Sequence, residues 1–428
     1  MNDLAAFFHI ERWPPHPDLL FWISLTVVVG ALLGEAVVRW FALSRILGYS
    51  VAGALVAAAG FGLGDGLGQG LAVGLGLGNV QGSLQGHVRL VVDLALALLL
   101  FELGSRVSIR WLRSNPMLLA TSAAESLLSF GAIVAFLRWL EWEPNLALAA
   151  AALTVSASGA VIGRVSSELK SAGQVTERMI VLSALNTLYA VLALKLVIGW
   201  LHMDRHGDWV QGISQPLYTF AGSVLVAAIL ARAVAWGVRN FELRDEHSSL
   251  VLLGMVLLAL TAARVFGLST LLVPLLAGVM IRNASERPCI WPRHFGSVGG
   301  VLVLILFVVV GSSWSIAAVE AGTAVALGLL AVRAVSKALV LVATARFGGI
   351  SLRQGLALAL ALTPLSATTL VMLADLQATH PEVARQLAPV VLSAIAAMAL
   401  LGPILLQLGL QLAGEYHPAP RAAALERA

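Results

Sequence analysis

Eight ionisable side chains fall inside long apolar stretches of this sequence: Glu35, Asp93, Glu102, Glu125, Lys195, Arg232, Arg333 and Lys337. A charge at that depth is expensive unless it is paired or hydrated, so each is a functional candidate. Carboxylates and ammonium groups so placed suit the uptake and release of protons or cations. Glu125 is flanked by Thr121, Ser122, Ser126 and Ser129, a polar stripe able to line a cavity. Lys337 follows Arg333 by four residues, so two cations share one helix face. That face demands an anionic partner, water or the inner surface. Glu102 and Arg106 also stand four apart, the spacing of a salt bridge snorkelling to the inner face. Asp93 lies nine residues before Glu102, too far for such a contact. Lys195, near Trp200, reads as snorkelling outward.

Other chemistries find little support. All nine histidines fall at loops or termini, which argues against an intramembrane histidine relay or metal centre. His202 and His206, with Asp204 and Asp208, have the spacing of a metal pair, but in a loop. Cys289 is the single cysteine, which excludes an internal disulfide and any CxxC motif. No GxSxG or HExxH pattern occurs, and neither an enzyme, a cofactor nor a metal site is expected.

The elements that must position these groups follow from composition. Of 428 residues, 59% are hydrophobic and 12% charged, against roughly 25% charged in soluble domains. Mean hydropathy is +0.90. These values exclude a water-soluble enzyme, a nucleic-acid reader and a disordered scaffold. Thirteen segments are long and apolar enough to span a bilayer: 19–38, 45–62, 88–105, 116–138, 145–164, 175–201, 215–238, 247–265, 268–284, 296–315, 317–346, 352–376 and 385–413. Only helices suit them. The stretch from Gly60 to Gly86 reads as a flexible outer loop rather than a phosphate cradle. No basic stretch precedes a short apolar core, so no cleaved signal peptide is expected.

Most of the 27 basic residues, among them Arg39, Arg45, Arg106, Arg110, Arg113, Arg346 and Arg353, fall in alternate loops. The positive-inside rule then puts the N-terminus outside and the C-terminus in the cytoplasm, as in a multi-pass protein of the inner (plasma) membrane. The formal charge of +4 is a topology signal and gives no reason to invoke nucleic acid. The tail after the last span is too short for a soluble regulatory domain, so residues 1–428 read as one transmembrane domain.

The chain also resembles itself. Leu99 to Ser105 (LLFELGS) at the end of the third span is similar to Leu306 to Ser312 (LFVVVGS) at the end of the tenth. Ala52-Gly53 in the second span matches Ala277-Gly278 in the ninth. Thr154-Val155-Ser156-Ala157-Ser158 in the fifth matches Thr363-Pro364-Leu365-Ser366-Ala367-Thr368 in the twelfth. Each pair lies seven spans apart, so its members run in opposite directions. That is the mark of an inverted-topology repeat, here about 45–201 and 268–413, and of secondary transporters. Pro364 and the hydroxyl-rich stretches fit two interrupted helices, whose half-helix ends would aim partial charges at an ion.

These residues resemble the monovalent cation:proton antiporter superfamily, in particular its bacterial sodium/proton and potassium/proton branch. Leu98 to Gly104 (LLLFELG) is similar to that family's LLLFExG segment, and Leu47 to Gly53 (LGYSVAG) to its LGYxxAG pattern. Thr154 to Leu194, with Ser167-Glu168-Leu169, looks like the family's broken helix, loop and ion-binding helix. Lys337 to Val340 and Arg346 to Gly348 resemble the two ends of its eleventh span. The resemblance covers about residues 20–412. It implies an all-α elevator-type transporter with two crossed broken helices, commonly a homodimer, that exchanges Na+ or K+ for H+ across the lipid bilayer. The family's central acid, an aspartate after Asp, Asn or Gln, corresponds to Thr187 after Asn186. Asn186 fits the family's variants, whereas a threonine can coordinate an ion but cannot carry a proton. Glu125 is then the nearest replacement acid. Lys337, which the family places beside the aspartate, would lack that partner and could exchange the proton itself. Asn186, Thr187, Ser156, Ser158, Glu125, Lys337, Thr363 and Ser366 are accordingly the expected ion-path residues, with Glu102 and Asp93 as secondary candidates. A different cargo such as an organic anion, or a non-transporting sensor, stays open.

Overall fold

The computed structural model describes residues 19–59, 83–206, 209–241, 245–284, 296–312, 316–365 and 367–416. Among them are sixteen helices and no strand. They are α1 (Leu19–Phe41), α2 (Arg45–Ala59), α3 (Ser83–Ser105), α4 (Ile109–Ser114), α5 (Pro116–Trp139), α6 (Pro144–Thr154), α7 (Gly159–Glu168) and α8 (Gln174–His206). The second half holds α9 (Trp209–Phe241), α10 (Asp245–Val265), α11 (Leu272–Ala284), α12 (Gly296–Ser312), α13 (Ile316–Ala345), α14 (Leu352–Ala361), α15 (Ala367–Thr379) and α16 (Pro381–Ala413). Most of the Gly60–Gly86 loop lies outside the described residues.

Local signals account for several boundaries. Proline opens α5, α6 and α16, where its missing N–H costs nothing and its fixed φ suits the first turn. Ser351 and Gln354 form a capping box at the start of α14. Gly414, at φ +74°, ends α16 in the left-handed conformation that glycine adopts freely.

Among the described residues, each of the thirteen expected spans contains helix. The fifth and twelfth are broken, as α6–α7 and α14–α15, on either side of the two hydroxyl-rich stretches. Among the described residues, uninterrupted or paired helices of sufficient length and apolarity number seven, from α1, α5, α6–α7, α8, α9, α13 and α16. Of the rest, α3 has 23 residues and α10 has 21, while α11 has only 13, about 20 Å of rise. This helix is a few residues shorter than expected because 268–271, after Gly267 with φ +63°, are not helical.

Two sets of helices pack side by side. In one, α2 lies against α12 and α3 against α11; in the other, α5 to α8 interlock with α13 to α16. The pairings repeat with a seven-span offset, and the repeated glycines explain why. A Cβ on Gly104 of α3 would strike the Leu275 carbonyl of α11, and one on Gly278 would strike the Phe101 carbonyl of α3. At the counterpart contact, a Cβ on Gly311 of α12 would strike the Ser50 carbonyl of α2. Without a hydrophobic drive between helices in lipid, close backbone approach is a main source of packing energy. The same approach is made twice, each time between a helix of one half and a helix of the other.

Candidate functional site

Both broken helices stop because the chain between Val155 and Ser158, and between Leu362 and Leu365, leaves the helical path. Pro364 withholds the N–H that continuation would need. The two breaks meet: the Ser158 N–H donates to the Pro364 carbonyl at 2.8 Å, and Ser156 Oγ shares a hydrogen bond of 3.3 Å with Thr369 Oγ1. Ser158 also caps α7, accepting from the Val161 N–H at 3.3 Å. Thr154 and Thr363, the first residues of the repeated stretches, turn their hydroxyls back onto their own helices, to the Ala150 and Ala359 carbonyls.

Where α6 and α14 end, their last carbonyls have no intrahelical partner and carry the negative end of the helix dipole. Arg333 of α13 answers both. Its Nε donates to the Thr154 carbonyl at 2.7 Å, Nη1 to the Thr363 carbonyl at 2.6 Å, and Nη2 to the Ser156 carbonyl at 2.6 Å. The planar fork of a guanidinium can span these acceptors; an ammonium cannot. Sequence reasoning placed Arg333 on the same face as Lys337 without assigning it to the breaks. The available signal was the pair of breaks itself, which leaves carbonyls that some cation must satisfy.

One turn further along α13, the Lys337 ammonium is paired with the Glu125 carboxylate of α5, and neither side chain is exposed. The two expected candidates are thus brought together, each supplying the counter-charge that the other requires. Two hydroxyls of the Glu125 stripe pack against polar partners on neighbouring helices. Ser126 Oγ donates to Asn186 Oδ1 of α8 at 3.1 Å, and Ser129 bonds Ser336 of α13 at 3.0 Å. Asn186 and Thr187 are fully buried in α8. The Thr187 hydroxyl donates to the Ser183 carbonyl at 2.9 Å, within its own helix. Thr187 is therefore placed among the broken helices but its proton is held locally.

The remaining candidates lie elsewhere. Glu102 pairs with Arg106 at 2.6 Å as expected, and Arg106 also reaches Ser167 of α7 at 3.2 Å. Asp93 is buried against Arg264, which belongs to the last turn of α10 rather than to a loop. Lys195 is 3.4 Å from Asp375 of α15, a partner from the neighbouring helix in place of the expected snorkelling. Ser366 lies outside the described residues. The group at the crossing is thus Arg333, Ser156, Ser158, Thr363 and Pro364, with Glu125, Lys337 and Asn186 one turn away.

The transmembrane sodium/hydrogen exchanger family matches residues 25–410. The chain belongs to that family and is a multi-pass membrane protein. It is similar in fold to the sodium proton antiporter MjNhaP1 from Methanocaldococcus jannaschii in its pH 8 structure, with a TM-score of 0.67 and 15% identity over 92% of this chain and 99% of that one. An electron-microscopy structure of the same antiporter gives a TM-score of 0.69 and 13% identity over 94% and 100%. No curated protein matches the sequence. The expected exchanger family and all-α membrane fold are borne out.

Proposed function

We propose that this chain exchanges a monovalent cation, Na+ or K+, for H+ by alternating access, and that the buried Glu125–Lys337 pair is the site of exchange. The observation that carries the reading is the pair itself: a carboxylate and an ammonium, both without exposure, one helical turn from the guanidinium that joins the two broken helices. An arriving cation replaces Lys337 at the Glu125 carboxylate, and Lys337 gives up its proton. One positive charge enters and one leaves, so the buried charge of Glu125, Lys337 and Arg333 stays constant. This avoids the cost of adding an uncompensated charge to a region of low dielectric.

Family membership and the antiporter fold support the substrate class. The moving part would be the bundle of α5 to α8 and α13 to α16, sliding against the set that contains α2, α3, α11 and α12. An N-terminus outside and a C-terminus in the cytoplasm fit the distribution of basic residues, and a homodimer in the plasma membrane is the assembly the family resemblance implies. A second reading, the same fold carrying an organic anion, is favoured by one observation. With Thr187 where the resemblance expects an acid, the three fully buried charges sum to one positive.

Proteoliposomes loaded with a pH-sensitive dye separate these readings. Sodium or potassium pulses should dequench the dye between about pH 6 and 9, and Glu125→Gln and Lys337→Gln should abolish the response. An absence of cation-dependent proton movement over that range overturns the exchanger reading. Proton movement driven only by an added organic anion selects the second.

A further inference from the structure

On side chains of the crossing bundle with no exposure, four polar atoms make no hydrogen bond: Ser122 Oγ, Glu125 Oε2, Asn186 Nδ2 and Thr368 Oγ1. A buried polar atom left unbonded costs about 1–3 kcal/mol, so such atoms call for an explanation, of which a bound ion is one. Two of them are neighbours. Ser122 and Glu125 stand three residues apart on α5, which brings them together on one face. The other members of that face are engaged. Lys337 takes Glu125 Oε1, Ser126 bonds Asn186, and Ser129 bonds Ser336. What is left over is one anionic oxygen and one hydroxyl oxygen, both on side chains with no exposure.

We infer that Glu125 Oε2 and Ser122 Oγ are two oxygens of a seat for a dehydrated monovalent cation, and that Ser122 sets how tightly the cation is held. The inference rests on the exchange reading above and assigns its binding step to particular atoms. Negatively charged and hydroxyl oxygens suit hard cations; a free anion would be repelled by the carboxylate. Asn186 can add a third oxygen. A half-turn of its carboxamide replaces Nδ2 by Oδ1, and the Ser126 hydroxyl can accept from the amide as readily as it now donates. The seat therefore lies on α5. The α8 position filled by Thr187 is not aimed at it by any bond, since that hydroxyl is held by Ser183.

The test reads binding and transport separately on the same purified protein. Thermal melting in detergent is followed while NaCl or KCl replaces choline chloride at constant ionic strength. The wild type should be stabilised by one or both cations, and Glu125→Gln should lose the effect. Ser122→Ala should need about tenfold more cation for half of the stabilisation, the equivalent of one lost oxygen contact. Ser122→Thr and Ser122→Val form a pair of nearly equal volume that differs in the hydroxyl; the threonine should keep the wild-type response and the valine should not. Equal cation dependence in these two variants, or no stabilisation of the wild type by either cation, overturns the seat. If proteoliposomes show no exchange while cation stabilisation still depends on the Ser122 hydroxyl, the seat stands and the exchanger reading falls. Exchange that keeps wild-type cation dependence in Ser122→Val upholds the exchanger and rejects the seat.

Discussion

Lys337 on α13 and Glu125 on α5 are paired across 212 residues of sequence with no solvent access to either side chain. Removing one partner strands the other as an uncompensated buried charge, whereas removing both leaves a neutral core. Glu125→Gln alone should therefore destabilise the protein by about 3–5 kcal/mol. The double variant Glu125→Gln/Lys337→Gln should recover most of that loss yet remain inactive. Melting curves in detergent and dye dequenching in proteoliposomes, taken on the same variants, check both halves. A double variant as unstable as the single would show that the pair is not the unit described.

Arg333 presents a different balance, because its partners are main-chain carbonyls that no substitution removes. Arg333→Lys keeps the charge but replaces a three-pronged fork by a single ammonium, leaving at least one of Thr154, Ser156 and Thr363 with an unmet carbonyl. The expected loss is about 1–3 kcal/mol, with slower turnover because the two breaks are no longer held at one spacing. Arg333→Ala leaves all three unmet and should not yield folded protein. Size-exclusion profiles and melting temperatures read the stability; initial exchange rates read the turnover. Arg333→Lys with wild-type stability and rate would remove the guanidinium from this role.

The glycine contacts predict a paired outcome. Gly104→Ala and Gly311→Ala each push a methyl group into a neighbouring carbonyl, at Leu275 and Ser50 respectively. Both should destabilise by about 1–3 kcal/mol through forced helix separation. Gly131 has nothing within 4 Å of its would-be Cβ, so Gly131→Ala on the exposed face of α5 should cause no loss. Melting temperatures of the three variants decide it, and a harmless Gly104→Ala would contradict the close approach of α3 and α11.

The positions of the breaks were legible in the sequence because Thr154 to Ser158 and Thr363 to Thr368 carry their own reasons to leave the helix. The close helix contacts were half legible. The repeated glycines marked where small residues recur, but not that α3 meets α11 while α2 meets α12. Partners were the part that sequence withheld. Glu125 and Lys337 were each conspicuous, yet joining them requires knowing which faces of α5 and α13 are turned together. Arg333 was harder still, since its acceptors are carbonyls, which every residue carries. Lys195 was read as snorkelling for the same reason: Asp375 lies 180 residues away, on the second half of a broken helix.

Thr187 offers the sharpest test of where the exchangeable acid resides. Aspartate is close to threonine in size, and the position is fully buried beside Asn186 in α8. Thr187→Asp would add a carboxylate where the resemblance expects one and bring the buried charge of the bundle from one positive to neutral. The new acid should raise apparent cation affinity by about tenfold if it lies within a few ångströms of the transported ion. In the Glu125→Gln background it should restore exchange, since one carboxylate again serves cation and proton in turn. The sign of the pH effect follows: as pH falls the added carboxyl keeps its proton, cations cannot displace it, and exchange by the Thr187→Asp/Glu125→Gln protein should fade on the acid side. Folded but inactive double-variant protein at every pH would mean that α8 no longer faces the ion path in this chain, leaving Glu125 on α5 as its sole acid.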